Sequence, residues 1–317
     1  MKTIFTYVFL LYTLISFSQT QITDLYSDGT DKSSYPDGYI EFDGKIFFAA
    51  NTEYYGREIW VSNLNEANSE KILKDINVGE NSGINFFYPF ILGENLYFFA
   101  SDGSSSGELW KTDGTENGTI KITDFLNYSF TKNEVSTVND QIFMIDKSGK
   151  LWKSDGTKTG TTIIREDIPI WNKASYANSL NNLFLFTIQT PSTNEVRIWR
   201  SDGTNDGTFP ISPINTDGIG VFGTNAFTQY IKFKNELYFI ARNHNLFSPS
   251  VGIMKTDGTE KGTIALTPFY DGNQIIIADA DVVMYNEKLY FSFLQNNRNR
   301  FFVWETEGEE INSKKIN

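Results

Sequence analysis

One phrase recurs down the chain. W-x-[ST]-D-G-T-x-x-G-T stands at Trp110–Thr119, Trp152–Thr161 and Trp199–Thr208, and with Met for Trp at Met254–Thr263. Degraded copies begin at Trp60 and Trp304, so six anchors follow one another at intervals of 42 to 55 residues. A period of that size means one small supersecondary unit stacked many times, not a single mixed core.

Each unit offers four short strand-like runs. In the second unit these are Phe86–Leu92, Asn95–Ala100, Glu108–Asp113 and Thr119–Asp124, and in the sixth the last run is placed at Glu309–Ser313. Gly93-Glu94 turns the first pair, a Ser/Gly-rich stretch the second, and D-G-T-x-x-G the third. The second run is nearly continuous in apolar residues: IFFAA, LYFFA, IFMI, LFLF, LYFI and LYFSF. Strict alternation would leave one wet face, whereas a continuous run needs cover on both. Neighbours such as Leu109 and Trp110 point to opposite faces of a strand, so the third run carries the same message. Antiparallel hairpins buried on both faces must pack sheet against sheet repeatedly, and radial stacking does this while protecting the edges. The expected fold is all-β: a six-bladed β-propeller with four antiparallel strands per blade. It fills one domain, 19–317, with units near 37–79, 84–128, 133–170, 175–215, 226–272 and 276–317. Gln19–Ser27 is a candidate extra strand for the last blade.

Residues 1–18 read as a signal peptide. Lys2 supplies the positive end, Ile4–Phe17 the apolar run, and Ser16 and Ser18 the small residues before Gln19. That run is shorter than the roughly 20 residues of a membrane span, and no later segment would span, so no membrane span is expected after cleavage. A formal charge of -12, with 39 acids against 27 bases, argues against a nucleic-acid partner. The chain has no cysteine, which removes disulfides, thiolate nucleophiles and Cys metal sites.

The phrase Glu108-Leu109-Trp110-Lys111-Thr112-Asp113-Gly114-Thr115 resembles the ELWxxDGT repeat family of exported bacterial proteins, and Asp75-Ile76-Asn77-Val78-Gly79 resembles the segment that follows the unit there. The resemblance spans roughly Tyr26 to Glu307. It implies a propeller at the surface or outside the cell, with no assigned activity. Many members end in a type IX sorting domain, which is not expected after the last strand here. Periplasm, outer-membrane surface and secretion therefore stand as the expected locations. The first unit departs from the pattern with Asn63-Leu64 for D-G, and the last with Glu307-Gly308-Glu309.

The repeated aspartates invite a metal reading, with calcium the candidate cofactor. Asp before Gly is more simply a turn former, because its carboxylate accepts backbone N–H groups and Gly supplies positive φ. One carboxylate per turn falls short of the six to eight oxygens calcium takes. Structural-turn roles are therefore expected for Asp113, Gly114 and Thr115, for Asp155, Gly156 and Thr157, for Asp202, Gly203 and Thr204, and for Asp257, Gly258 and Thr259, with Gly118, Gly160, Gly207 and Gly262 ending each turn. Trp60, Trp110, Trp152, Trp199, Met254 and Trp304 are expected in the core between blades. Trp171, outside the periodic slot, is the candidate ligand contact. His244, the single histidine, reads as a solvated loop residue. No P-loop, dinucleotide fingerprint, serine elbow or HExxH is present. The segments particular to single blades, Ser101–Gly107, Gln189–Glu195, Arg242–Val251 and Pro268–Ile275, are the expected binding loops. The functional expectation is a monomeric, non-catalytic binding or structural module with a glycan or envelope protein as partner. The alternatives are a polysaccharide hydrolase or lyase using loop carboxylates and a calcium-dependent adhesion module.

Overall fold

The computed structural model describes residues 33–63, 66, 69–126, 128, 130–131, 133–170, 175–189, 196–212, 230–243, 250–266, 270–271, 275–295, 300–307 and 314–316. They form six antiparallel sheets in chain order. Blade 1 is β1 (Asp37–Phe42), β2 (Lys45–Thr52), β3 (Gly56–Asn63) and β4 (Lys71–Lys74); blade 2 is β5 (Phe90–Leu92), β6 (Asn95–Ala100), β7 (Glu108–Thr112) and β8 (Ile120–Lys121). Blade 3 is β9 (Val135–Val138), β10 (Gln141–Ile145), β11 (Leu151–Ser154) and β12 (Thr162–Arg165); blade 4 is β13 (Ser175–Leu180), β14 (Leu183–Gln189), β15 (Val196–Ser201) and β16 (Phe209–Pro210). Blade 5 is β17 (Tyr230–Phe233), β18 (Glu236–Asn243), β19 (Ser250–Thr256) and β20 (Ile264–Ala265), with the short β21 (Tyr270–Asp271) added on β19. Blade 6 is β22 (Ile275–Tyr285), β23 (Lys288–Gln295), β24 (Arg300–Thr306) and β25 (Lys314–Ile316). The architecture is a six-bladed propeller.

Burial explains why these sequences make blades. The central strands β2, β6 and β10 are buried without interruption on both faces, as their unbroken apolar runs require. Apolar clusters then join successive blades. Phe47, Ile59, Leu96 and Phe98 link blades 1 and 2; Tyr97, Phe99, Ile142 and Met144 link blades 2 and 3. Phe143, Ile145, Phe184 and Phe186 link blades 3 and 4; Leu185, Ile198, Leu237 and Phe239 link blades 4 and 5; Tyr238, Ile253, Leu289 and Phe291 link blades 5 and 6. A sixth cluster, Phe48, Ala50 and Trp60, covers the face of blade 1 turned away from blade 2. Each large side chain so buried contributes roughly 1.5–3 kcal/mol. First strands of neighbouring blades approach one another, β9 with β13 and β17 with β22, which makes them the inner edge.

The antiparallel order gives the ring two unlike ends. At the turn end, β1–β2, β5–β6, β9–β10, β13–β14, β17–β18 and β22–β23 are each joined by two residues. Asp43-Gly44, Asn139-Asp140, Lys234-Asn235 and Asn286-Glu287 have positive φ at both positions, the tight turn that matches strand twist. The D-G-T turns lie at this end too, because they join third strands to fourth. The loop end carries the links between second and third strands and those from blade to blade.

The fourth strand of blade 6 is Lys314–Ile316; Glu309–Ser313, the run expected from the sequence, lies outside the described residues. Pairing register gives the reason. Trp110 faces Lys121, Trp152 faces Ile163, Trp199 faces Pro210, Met254 faces Ala265 and Trp304 faces Lys315, each partner eleven residues along. These five turns use the same length of chain, while blade 1, with Asn63-Leu64 for D-G, takes one residue more, Trp60 facing Ile72. Gln19–Ser27 lies outside the described residues.

Candidate functional site

The repeated phrase closes a circuit of hydrogen bonds. In blade 2, Asp113 Oδ1 accepts the Thr115 N–H at 2.9 Å and its hydroxyl at 2.7 Å. Thr115 Oγ1 accepts the Gly118 N–H at 2.9 Å, and the Thr119 hydroxyl donates to the Thr115 carbonyl at 2.6 Å. Thr112 Oγ1 accepts the Gly114 N–H and pairs with Thr119 Oγ1. The same bonds recur around Asp155, Asp202 and Asp257. Gly118, Gly160, Gly207 and Gly262 stand where a Cβ would lie 2.0 Å from the aspartate oxygen. Gly114, Gly156, Gly203 and Gly258 combine φ of +83° to +90° with close approach to Phe47, Tyr97, Phe143 and Leu183 of the preceding blade. Cations of the preceding blade hold three of these turns by their carbonyls: Lys74 on Thr119, Lys153 on Gly203 with Arg165 on Thr208, and Arg200 on Gly258. The phrase is thus both a turn and a latch between blades.

Four of the six anchors lie between blades. Trp110, Trp152, Trp199 and Met254 each join the cluster shared with the preceding blade, Trp60 lies on the far face of blade 1, and all five are between 5% and 9% exposed. Trp304 sits in β24, in register with its counterparts. Trp171 and His244 lie outside the described residues. Among the described residues no three acidic, histidine or cysteine side chains gather where they would hold a metal ion, and the turn aspartates already spend Oδ1 on their own threonines.

Buried acids at the loop end were not legible in the motif. Glu58 and Glu108 open the third strands of blades 1 and 2 and are fully buried. Glu58 Oε1 accepts the N–H of Asn77 at 3.2 Å and of Gly83 at 2.9 Å, pinning the linker to blade 2. Burial raises its carboxyl to about 7, against the pull of those N–H groups. Glu108 accepts the Thr123 hydroxyl at 2.6 Å and the Leu126 N–H at 3.1 Å, pinning the next linker. Blade 3 has Lys150 in that place, and Asp146 takes over, accepting Ser148 and Lys150 N–H groups and the Trp152 indole. Glu134 accepts the Tyr128 hydroxyl and the Thr131 N–H. These carboxylates face the backbone they hold.

The inner strands of blades 1, 2 and 3 start around a cavity of about 430 Å³ at the loop end. Its wall is Gly38–Ile40, Phe87–Phe90, Phe99, Phe130, Thr131 and Val135–Thr137, with no charged side chain among them. Aromatic side chains continue outward from it. Tyr39 is 62% exposed and Phe86 55%, and Tyr88 is exposed as well. The Phe86 and Tyr88 rings lie 6.2 Å apart and 8° from parallel. Tyr54, in the β2–β3 hairpin, is more exposed still. At the same end, just before β1, Tyr35 is 69% exposed with φ of 44°, a conformation bulky residues avoid and one that Pro36 further disfavours. Arg57 holds it, donating to the Tyr35 carbonyl at 3.0 Å and to the Asp37 carboxylate. The sequence signal was present in Tyr35-Pro36 and Tyr88-Pro89, an aromatic residue before proline at the head of an inner strand. Of the expected binding loops, Ser101–Gly107 lies at this end; 190–195, 244–249, 267–269 and 272–274 fall outside the described residues, while the strands flanking them end there.

No family model matches the chain, and no curated protein does. Among solved structures it is similar to the β-propeller domain of the Trilobed protease from Pyrococcus furiosus, at 14% identity over 90% of this chain and 85% of that one, with a TM-score of 0.46. It is similar to the computationally designed Ika8 protein at 9% identity over 88% and 90% of the two chains, TM-score 0.41. It is similar to puromycin hydrolase at 9% identity over 94% of this chain and 56% of that one, TM-score 0.44.

Proposed function

We propose that this chain is an exported propeller of the ELWxxDGT repeat type that binds, without catalysis, a glycan or an envelope protein at its loop end. The observation that carries this reading is the uncharged cavity at the heads of three inner strands with exposed Tyr39, Tyr88 and Phe86 at its rim. Concave, mostly apolar sites with a few polar groups are where ligands are taken, and rigid Tyr and Phe side chains give contact area at low entropic cost. A hydrolase or lyase needs two acids converging on the substrate. The described cavity wall has none, and the buried acids nearby are occupied by linker backbone, which supports binding over chemistry. The apolar run before Gln19 supports export.

The test has two arms. The chain, incubated with a broad set of polysaccharides and with solubilised envelope proteins, is expected to bind one of them saturably and to release no new reducing ends. Binding is expected to weaken on Tyr39→Ala. Depolymerisation of any polymer, or saturable binding indifferent to Tyr39, would sink the proposal.

A further inference from the structure

We infer that the loop-end site takes an uncharged polysaccharide chain, laid from the cavity across the exposed rings of blades 1 and 2. This rests on the binding reading above and gives its ligand a chemistry.

Three observations lead there. The first is charge. The cavity wall carries no ionic side chain, and the chain as a whole has a formal charge of -12, which repels polyanions as they approach. Arg57, the cation beside the rings, is committed to the Asp37 carboxylate and the Tyr35 carbonyl. Among the described residues of the wall, an acidic glycan or a phosphate-bearing ligand would meet no cation. The second is the kind of surface. The rings offer faces to C–H groups, while Thr131, Ser136 and Thr137 bring neutral hydroxyl-bearing residues to the same wall, a hydroxyl being able to donate and accept. Flat C–H faces edged by neutral hydroxyls describe a sugar ring. The third is extent. Tyr39 and Tyr88 border the cavity and the Phe86 ring, parallel to Tyr88, carries the exposed aromatic surface beyond it, so a chain fits it better than a single sugar.

Tyr35 gives the inference its sharpest point. A bulky residue held at φ of 44° costs of order 1–3 kcal/mol, and such outliers gather where a side chain must be presented. Here the Tyr35 N–H is accepted by Ser33 Oγ, and the Ser34 carbonyl accepts the Asn51 N–H at 2.7 Å. With Arg57 on the carbonyl, three separate bonds fix a tyrosine that is itself exposed. Arg57 is thereby a positioning residue for Tyr35.

Affinity electrophoresis and titration calorimetry of the full chain test this, with mixed-linkage β-glucan, glucomannan and arabinoxylan as neutral probes and polygalacturonate and dextran sulfate as anionic ones. At least one neutral polymer is expected to retard the protein, indifferently to salt. Tyr35→Ala and Tyr88→Ala are each expected to weaken that binding about tenfold, the loss of one ring contact. Tyr88→Phe is expected to keep it, which separates the ring's role from a folding defect, and Tyr285→Ala, exposed at the turn end, serves as the silent control. Retardation by the anionic polymers alone, fading with salt, overturns the inference, as does neutral binding that survives both alanine changes. If no polymer binds but capture of an envelope protein depends on Tyr35 and Tyr88, the neutral-glycan inference falls while the binding reading stands. If neither polymer nor envelope protein binds, both fall.

Discussion

At the residue scale the repeated phrase is a set of mutual constraints. The aspartate carboxylate occupies the space where a Cβ on the second glycine would go, so each explains the other. Gly160→Ala is expected to destabilise by about 1–3 kcal/mol through overpacking. Asp155→Ala is expected to cost about 1–2 kcal/mol, for the bonds to the Thr157 N–H and hydroxyl. The double variant should cost less than the sum, because removing the carboxylate makes room for the methyl. Urea melts of the four proteins check this, and strict additivity would refute the account. Trp152→Ala combines loss of core with an orphaned Asp146 oxygen, since the indole donates to it at 3.1 Å; about 3–5 kcal/mol is expected. The turn roles of Asp, Gly and Thr were readable from residue chemistry alone. The second reason for the first glycine was not, because it lies in Phe47, Tyr97, Phe143 and Leu183, 59 to 75 residues upstream in another blade.

At the element scale the strands were legible because blades 2 to 6 repeat one register, from which blade 1 departs by a single residue. Blade 6 lacks D-G-T, yet Trp304 still meets Lys315, eleven residues along, as in the four preceding blades. The short turns between first and second strands carry a further consequence. Glu287 sits at φ of 58° and Lys234 at 49°, where a side chain with a Cβ is disfavoured by roughly 1–2 kcal/mol. Glu287→Gly is expected to raise stability by about 0.5 kcal/mol, the native relief exceeding the added unfolded-state entropy. A chemical-denaturation midpoint that falls would contradict it. The linker acids were illegible for a different reason. Glu58 and Glu108 precede an apolar pair in a strand, and nothing in that position says the partners are N–H groups at Asn77, Gly83 and Leu126.

At the scale of the whole molecule the buried and exposed acids pull stability in opposite directions with pH. Hydrogen bonds from threonine hold Asp113, Asp155 and Asp202 below the ordinary 3.8. Their contribution is present above that value and is lost as pH falls through the lowered ones. Glu58 is raised from 4.5 to about 7, so the folded state holds a proton the unfolded chain has released. Stability is then lost as pH rises between those values, by on the order of 3 kcal/mol for a shift of that size. Thermal melts are expected to peak near the lower end of that window, and Glu58→Gln is expected to flatten the decline above it. An unchanged slope in the variant would place the cause elsewhere. The cavity, too, belongs to this scale. No single repeat contains it, for it needs the heads of three inner strands, and a sequence read unit by unit has no view of it.

The latches all lean one way round the ring, each D-G-T turn resting on the blade before it. Blade 1 has Asn63-Leu64 where that grip would begin, and its outward face relies on Phe48, Ala50 and Trp60. The circle therefore has a zip with a pull-tab. Heat or force is expected to part it first at the joint before blade 1, which amide exchange faster in β2 and β3 than in β10 and β11 would reveal and equal exchange would refute.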